Sequence, residues 1–271
     1  MRRLDFADHR RELGDNAYIY AVVSRRARGL SIGVNLNPDK ACNFDCPYCQ
    51  VDRTLPGGAR AIDLPRLRDE LEHLLGLVHR GDLWHTPPFD TADPALRRVA
   101  DIAFAGDGEP TTPPEFPEAA RIVRECRDRL APGVPVRLLT NATMLHLPRV
   151  RAALGDIDEP WCKLDAGTEA YFRLVDGTKF SFERILANLR DTAARRPIVI
   201  QSMFMTLDGE GPTEAEVDAW VARLVTIGPR EVQVYSVARK PSDPRVGPLP
   251  SDRLAHIASR ARDAGLVAVV A

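Results

Sequence analysis

Three of the five cysteines of this 271-residue chain lie within one eight-residue stretch, at Cys42, Cys46 and Cys49. Thiolates at Cys-x3-Cys-x2-Cys spacing can surround one small centre, and soft sulfur ligands favour zinc, copper or an iron–sulfur cluster. A closed structural zinc site needs a fourth ligand, and the next histidine, His73, lies well outside the loop. Three cysteines instead leave one iron of a 4Fe–4S cubane with an open position. The spacing therefore indicates a cluster that can bind a second molecule.

Two polar clusters follow predicted strands further along the chain. In Gly106–Thr111, two glycines permit close backbone approach and two carboxylates can face a cation, although the same residues also suit a plain turn. In Thr140–Thr143, the amide of Asn141 can both donate and accept hydrogen bonds. Thr143 has an alternative role as the N-cap of a helix that begins near Leu147.

The later strands carry polar residues as well. Alternation turns Lys163 and Asp165 toward one face, where they either form a buried ion pair or contact a ligand. Gln201 and Ser202 stand among apolar neighbours, so they are either hydrogen-bonded internally or face a cavity. The sixth predicted strand and the residues after it add Gln233, Tyr235, Ser236, Val237, Arg239 and Lys240.

The cysteine loop, with aromatic Tyr48 before its last cysteine, resembles the signature of radical S-adenosylmethionine (SAM) enzymes. In that superfamily the open iron chelates the amino and carboxylate groups of SAM. The flanking segments Tyr20–Leu36 and Asn37–Cys42 are similar to a branch of Fe–S oxidoreductases related to the wyosine-synthase type of tRNA-modifying enzymes. Wyosine synthases of this type carry further amino-terminal cysteines for a second cluster. This sequence has no cysteine before Cys42, so we do not expect wyosine synthesis itself.

The resemblance implies two cofactors, a 4Fe–4S cluster and SAM. One electron from the cluster would cleave SAM, and the 5′-deoxyadenosyl radical would take a hydrogen atom from the substrate. Because the cofactors carry this chemistry, no catalytic acid–base pair or triad is expected. The predicted metal ligands are Cys42, Cys46 and Cys49. The predicted cofactor-binding residues are Tyr48, Gly106, Asp107, Gly108, Glu109, Asn141, Lys163, Asp165, Gln201, Ser202 and Val237.

Three functions remain open. The first is chemistry on RNA or a nucleotide-like molecule, which is favoured by the resemblance to the tRNA-modifying branch and by a basic segment near the amino terminus. The alternative interpretation of this segment is a solvated face, and its basic residues are Arg2, Arg3, Arg10, Arg11, Arg25, Arg26 and Arg28. The second is the same chemistry on a small metabolite or a protein partner, as in activases of glycyl-radical enzymes. The third is a non-catalytic iron–sulfur or zinc protein. The resemblance also implies an electron donor such as flavodoxin or ferredoxin.

Apolar strands alternate with amphipathic helices over most of the chain, beginning with a strand at 29–36 and a helix at 64–78. Six such repeats predict an α/β fold, a partial (β/α)6 TIM-like barrel with parallel strands, and the resemblance implies the same fold. We expect the barrel to comprise residues 29–271, with residues 1–28 as an amino-terminal extension that packs on it. Further strands are expected at 101–105, 134–139, 161–164, 198–205 and 231–237, and further helices at 117–130, 147–154, 180–194, 213–227 and 251–264. Ser181 is a candidate cap of the helix at 180–194, Thr213 and Glu216 are expected to form a capping box at 213–227, and the proline-rich stretch 240–250 is expected to be a loop.

Composition excludes several other classes of protein. The chain is 44% hydrophobic and 28% charged with a net charge of −1, so it can bury a sizeable core and has no overall basic field for nucleic acid. No apolar run is long enough to cross a bilayer, and no apolar signal segment follows the charged start. An odd number of cysteines argues against a disulfide framework, and Cys126 and Cys162 are expected to pack in the core. These features predict a cytoplasmic protein.

Overall fold

The computed structural model describes residues 15–24, 28–238, 241 and 243–271, except for the side chain of Ser24. Arg28 is the one basic residue of the amino-terminal segment that lies within the described residues. Outside them lie the other basic residues of that segment and two cations after the sixth predicted strand: Arg2, Arg3, Arg10, Arg11, Arg25, Arg26, Arg239 and Lys240. Within the described ranges, none of the helices combines the length and hydrophobicity of a membrane-spanning segment.

The chain divides into two compact units, which are treated separately. The glycine-motif unit comprises the described parts of Met1–Ala41 together with Pro56–Leu139 and Leu147–Glu159, and it contains Gly106–Glu109. The cysteine-loop unit comprises Cys42–Leu55, Thr140–His146 and Pro160–Ala271.

The strands of the glycine-motif unit are β1 (Ile19–Ser24), β2 (Gly29–Val34), β3 (Val99–Phe104) and β4 (Val136–Thr140). β1 runs antiparallel to β2, whereas β2, β3 and β4 are parallel neighbours in that order. The helices are α1 (Leu64–Arg80), α2 (Phe116–Leu130) and α3 (Pro148–Ala153). Short 3-10 turns occupy Asp82–His85, Phe89–Thr91, Pro94–Leu96 and Leu154–Asp156.

Helix α1 illustrates how local sequence places an element. Asp63 caps it by accepting a hydrogen bond from the Arg66 amide at 3.0 Å, and Gly81 ends it with a φ of 80°, a conformation that glycine adopts without strain. Between these caps, the apolar residues recur at helical spacing, so one face is buried: Leu67, Leu71, Leu74 and Leu75.

The cysteine-loop unit contains β5 (Glu159–Lys163), helices α4 (Glu169–Asp176) and α5 (Phe182–Ala193), strands β6 (Val199–Met203) and β7 (Met205–Leu207), helix α6 (Glu214–Ile227), strands β8 (Glu231–Tyr235) and β9 (Val246–Pro248), helix α7 (Ser251–Asp263) and strand β10 (Ala268–Val270). β5, β6, β8 and β10 are parallel neighbours in that order. β7 and β9 form a separate antiparallel pair. The predicted alternation of parallel strands and helices is therefore confirmed, and the fold class is α/β.

Several elements differ from the sequence prediction. The expected helices and strands are present within a few residues of their predicted ends, except that the single strand predicted at 198–205 is two strands, β6 and β7, which belong to different sheets. Strands β1, β9 and β10 and helix α4 were not predicted. The stretch 240–250 was predicted to be a loop, which is wrong for β9, because residues 246–248 pair with β7. A predicted reciprocal capping box at the start of α6 is only half present. Thr213 accepts from the Glu216 amide at 3.2 Å, but the Glu216 carboxylate binds elsewhere.

Candidate cofactor site

The cysteine loop supplies three thiols that are not joined in disulfides, and Cys42, Cys46 and Cys49 are each partly exposed. The Cys49 amide donates to the Cys46 carbonyl at 2.9 Å, and the Arg53 guanidinium donates to Cys49 Sγ at 3.2 Å. Nowhere in the part of the chain that the structure describes do three or more His, Cys, Asp or Glu side chains already stand in a metal-holding group. The donor set suits a three-cysteine cluster by its chemistry, and ligation by these cysteines stays a prediction.

Cys46 lies against the carboxyl end of helix α4. Its Sγ is 3.6 Å from Asp176 Oδ1 and 3.7 Å from the Asp176 carbonyl oxygen. Burial raises the pKa of the Cys46 thiol above its usual value, and the Lys163 ammonium acts in the opposite direction. Because a metal binds the thiolate, ligation at Cys46 has to release a proton.

Lys163, Tyr48 and Asp165 form one buried network beside that thiol. Lys163 Nζ donates to the Tyr48 hydroxyl and lies 4.4 Å from the centre of its ring. The Tyr48 hydroxyl donates to Asp165 Oδ2, and Asp165 Oδ1 accepts from the Met203 amide at 2.8 Å. Lys163 Nζ is also 3.0 Å from Asp165 Oδ2, so the ion pair, one of the two interpretations of the alternation, is present.

Burial and neighbouring charges together shift the pKa values of the ionisable groups in this network. Asp165 is only 1% exposed, whereas 23% of the Lys163 side chain remains open to solvent. Burial disfavours the charged form of Lys163, but Asp165, Cys46 and Asp176 together hold the pKa of its ammonium well above the usual value. Burial, with the nearby Asp165 carboxylate, raises the pKa of Asp176. These interactions favour the charged form of Lys163, whose side chain stays partly open to solvent.

A ring of three polar side chains holds the first part of the cysteine loop. Asn141 Nδ2 donates to Asn43 Oδ1 at 2.6 Å, Asn43 Nδ2 donates to Thr143 Oγ1 at 2.8 Å, and Thr143 Oγ1 donates to Asn141 Oδ1 at 2.7 Å. The interpretation of Thr143 as a helix cap is wrong, because α3 begins after Leu147 without a side-chain cap. Asn43 was missed by sequence reasoning, although its place between two cysteines was a signal.

The predicted residues on β6 are hydrogen-bonded internally. Ser202 is fully buried, and its hydroxyl donates to the Leu164 carbonyl at 2.6 Å and accepts from Trp220 Nε1 at 3.1 Å. Gln201 donates to Gln233 Oε1 at 3.0 Å. Val237 follows β8 and is half-buried. The predicted cofactor contacts of Gln201, Ser202 and Val237 stay predictions.

In the glycine-motif unit, the loop after β3 is packed against Asn35. Asn35 Oδ1 accepts from the Asp107 amide at 3.1 Å, and Asn35 Nδ2 donates to Asp107 Oδ2 at 2.8 Å. A Cβ on Gly106 would lie 2.2 Å from Asn35 Oδ1, and one on Gly108 would lie 2.0 Å from the Ala41 carbonyl oxygen. The two glycines therefore let other parts of the chain pack closely against this loop, and their contact with a cofactor stays a prediction. Asn35 was not predicted.

Glu109 is held in place by its own loop. It is 3% exposed and its Oε1 accepts from the Thr111 hydroxyl and, at 3.2 Å, from the Thr111 amide. The Arg149 guanidinium donates to three successive carbonyls, those of Thr111, Thr112 and Pro113, at 3.0–3.2 Å. The structure thus places the motif in a rigid, hydrogen-bonded loop at the carboxyl end of a parallel strand, where ligands of α/β proteins bind.

In each unit, a cavity of ligand size lies beside predicted site residues. A cavity of about 470 Å³ in the glycine-motif unit is lined by Asn35, Arg66 and Asp107 among others. A cavity of about 620 Å³ in the cysteine-loop unit is lined by residues that include Cys46 and Leu174. Both volumes lie in the range of small-molecule sites.

Comparison with known proteins gives one family match. The family model described as the Radical SAM superfamily matches residues 36–221, which include the cysteine loop and the glycine motif. Among sequence relatives, a protein named GTPase Obg from Brachyspira hyodysenteriae is 24% identical over 241 residues, which cover 86% of this chain and 32% of that protein. A UPF0026 protein from Helicobacter pylori is 27% identical over 159 residues, 58% of this chain and 46% of that protein. The chain therefore spans a third to a half of the length of these curated relatives.

Solved structures resemble the chain over most of its length. A radical SAM methyltransferase from Sphaerobacter thermophilus matches with a TM-score of 0.63 at 13% identity, over 93% of this chain and 68% of that one. TYW1 with a lysine–pyruvate adduct matches with a TM-score of 0.58 at 16% identity, over 88% of this chain and 74% of that one. At such identities the likeness establishes the fold. The predicted parallel α/β partial barrel is confirmed.

Proposed function

Because the chain belongs to the radical SAM superfamily, we propose that it is an enzyme that cleaves SAM reductively and takes a hydrogen atom from a substrate. The cofactors of this superfamily are a 4Fe–4S cluster and SAM. When bound, the cluster supplies the electron for SAM cleavage. The observation that carries the proposal is the packing of the cysteine loop, through Tyr48, against the Lys163–Asp165 pair at the carboxyl end of β5. Both lie within the segment that the family model matches.

The donor set supports this choice of cluster. Cys42, Cys46 and Cys49 are partly exposed, whereas Cys126 and Cys162 are buried, and none of the five is in a disulfide. Three accessible thiols suit a cubane that keeps one open iron, while a closed zinc site would need a fourth ligand. We propose that these three cysteines hold the cluster.

Each unit, taken by itself, carries polar residues that suit one group of SAM. In the cysteine-loop unit, Lys163 is paired with Asp165 and hydrogen-bonded to Tyr48, and the ammonium of its partly exposed side chain suits a carboxylate. In the glycine-motif unit, the Glu109 carboxylate is held by Thr111 and suits an ammonium group. We propose that Tyr48, Asn141, Lys163 and Asp165 are cofactor-binding residues, and, as a separate proposal for the glycine-motif unit, that Gly106, Asp107, Gly108 and Glu109 are cofactor-binding residues. The predicted contacts of Gln201, Ser202 and Val237 belong to the proposal for the cysteine-loop unit.

The substrate we favour is RNA or a nucleotide-like molecule. Its support is the resemblance to the tRNA-modifying branch and the basic amino-terminal sequence. The structural neighbours include proteins as different as a radical SAM methyltransferase and TYW1 with a lysine–pyruvate adduct bound, so the fold alone does not choose a substrate. The GTPase name belongs to a relative of which this chain covers 32%, and it supports no activity here. The alternative is a small metabolite or a protein partner.

The salt dependence of binding distinguishes an RNA substrate from a small metabolite or a protein partner. RNA binding through phosphate contacts should weaken steeply between low and physiological salt, because each contact releases counterions. Turnover without RNA would instead support the metabolite or protein alternative. We further propose a cytoplasmic enzyme that takes electrons from a donor such as flavodoxin or ferredoxin, with residues 29–271 as the barrel and residues 1–28 as an extension.

The test of the proposal is anaerobic reconstitution with iron and sulfide, followed by addition of SAM and dithionite. We expect roughly four irons per chain, the content of one cubane, and formation of 5′-deoxyadenosine. Zinc without iron, or a cluster that never cleaves SAM, would instead support a structural or sensory metal protein.

A further inference from the structure

Helix α4 connects two parts of the cysteine-loop unit. It has only eight residues, and its carboxyl end touches the cysteine loop through the backbone. The Asp176 carbonyl accepts from the Asp45 amide at 3.2 Å. Gly177 follows with a φ of 56°, and a Cβ there would lie 2.1 Å from the Asp45 carbonyl oxygen. The end of α4 therefore sits directly on the residue before Cys46.

Aromatic packing adds a second contact between α4 and the same loop. The ring of Phe172 lies edge-on to the ring of Phe44, with centroids 5.7 Å apart, and 5.0 Å from the ring of Phe182 on α5. Phe44 stands between Cys42 and Cys46. A shift of α4 would therefore move the cysteine loop through both its backbone and its side chains.

The amino end of α4 is held by Glu216 of helix α6. Glu216 Oε1 accepts from the amides of Gly167 and Thr168 at 2.5 and 3.1 Å, and Oε2 accepts from the Thr168 hydroxyl at 2.6 Å. Thr168 in turn caps α4 by accepting from the Tyr171 amide at 3.3 Å. With 7% exposure, Glu216 makes these bonds away from water, where bonds to a charged acceptor are strong.

The loop before α4 approaches α6 so closely that only glycine fits. A Cβ on Gly167 would lie 2.1 Å from the Trp220 backbone nitrogen. Trp220 Nε1 also donates to the Leu164 carbonyl at 3.2 Å, next to Asp165. The loop that carries Asp165 and starts α4 is thus attached to α6 at several points, and Glu216 provides the charged one.

We propose that Glu216 is a positioning residue that sets the place of the cysteine loop through helix α4. It anchors the amino end of the helix, and the carboxyl end presents Asp176 to Asp45 and Cys46. An effect of Glu216 on SAM cleavage rests on the proposed radical SAM function, whereas its effect on the position of the cysteine loop concerns the polypeptide alone. These two effects are tested separately.

The mechanical test uses hydrogen exchange in the metal-free protein. In Glu216→Ala, amide exchange should speed up by about tenfold or more at 167–171 and also at 43–49, since the lost bonds to a charged acceptor open the α4 anchor. Glu216→Gln keeps a neutral acceptor oxygen, so its increase at both places should be smaller. Glu214→Gln is the matched control: it changes a carboxylate in the same helix whose side chain is 54% exposed and pairs with Arg253. Leu224→Val, in the buried core of α6, controls for general destabilisation.

Faster exchange at 43–49 in both Glu216 variants, and in neither control, supports the proposal. Faster exchange confined to 167–171, or an equal increase in Leu224→Val, would overturn it. If Glu216→Ala does not fold, Glu216→Gln alone decides, because its Oε1 can still accept from Gly167 and Thr168. We then expect a smaller increase at 43–49, and no increase would again overturn the proposal.

The catalytic test uses reconstituted enzyme with equal iron content. Glu216→Gln should raise the SAM concentration for half-maximal 5′-deoxyadenosine formation by several-fold and alter the change that SAM causes in the electron paramagnetic resonance spectrum of the reduced cluster. Glu214→Gln should match the wild type in both. Normal SAM response in Glu216→Gln would limit Glu216 to a structural role. If the wild type itself cleaves no SAM, the proposed function fails, and the exchange result still decides the positioning role.

Discussion

Removal of one member of the Lys163–Asp165 pair should destabilise the protein strongly, whatever its ligand. We consider Lys163→Met, Asp165→Asn and the double variant. Lys163→Met leaves a carboxylate that is 1% exposed without its cation, and Asp165→Asn leaves the ammonium without its nearest carboxylate at 3.0 Å. Both changes keep the approximate size of the side chain, so packing contributes little to the difference.

The magnitude follows from the burial of the pair. Breaking a buried ion pair from one side typically costs about 3–5 kcal/mol, since an unpaired charge stays behind. Because 23% of the Lys163 side chain remains exposed, we expect the lower part of that range, about 3 kcal/mol, for each single variant. In the double variant no charge is left unpaired, so its loss should fall short of the sum by about 1–3 kcal/mol.

The assay is equilibrium urea unfolding of the metal-free protein, followed by circular dichroism, with exposed Lys179→Met as the control. A domain is stable by only about 5–15 kcal/mol, so a loss of about 3 kcal/mol is easily measured. Single variants that lose less than about 1 kcal/mol, or losses that simply add, would refute the reasoning, because exposed pairs behave in that way.

Four further results are expected. Cys46→Ala should lower iron content to background after reconstitution while Cys126→Ala keeps it, as measured by iron and sulfide assay; loss of iron in Cys126→Ala would overturn the ligand assignment. Glu109→Ala should keep the cluster but weaken SAM binding by about tenfold, which is the effect of losing one charged hydrogen bond. Calorimetry measures this affinity, and an unchanged value would remove Glu109 from the site. Gly108→Ala should lower the free energy of unfolding by about 2 kcal/mol or more, because the added Cβ would lie 2.0 Å from the Ala41 carbonyl oxygen. An unchanged melting curve would contradict that close contact. Burial raises the pKa of the Cys126 thiol to about 11, so at pH 8 this thiol should react with iodoacetamide only after unfolding, and rapid labelling of the folded protein would argue against its burial.

Elements with a complete local signal were predictable. Helix α1 has a cap at Asp63, apolar residues at helical spacing and a glycine at its end, so its limits are readable within two residues. Ser181 and Thr213 likewise cap α5 and α6 as expected. Helix α4 has eight residues, too few for periodicity to stand out, and its amino-terminal loop is held by Glu216, 48 and 49 positions away.

The same division applies to the candidate site. The three thiols are visible in the sequence because they are close in the chain, and alternation along β5 correctly turned Lys163 and Asp165 to one side. The contact of Cys46 with Asp176 joins residues 130 positions apart, and that of Asn141 with Asn43 joins residues 98 apart. No local pattern encodes such pairs.

What the sequence determined by itself is therefore the type of chemistry: three thiols at a spacing that suits a cluster with an open iron, and alternating elements that build an α/β fold. Only the tertiary structure decided which groups surround those thiols. It paired Lys163 with Asp165, turned the Glu216 carboxylate from its own helix to the loop before α4, and placed Asp176 against Cys46. The physical reason is that ligand type and periodicity are local properties of the chain, whereas burial and pairing of charges arise only when distant segments pack together.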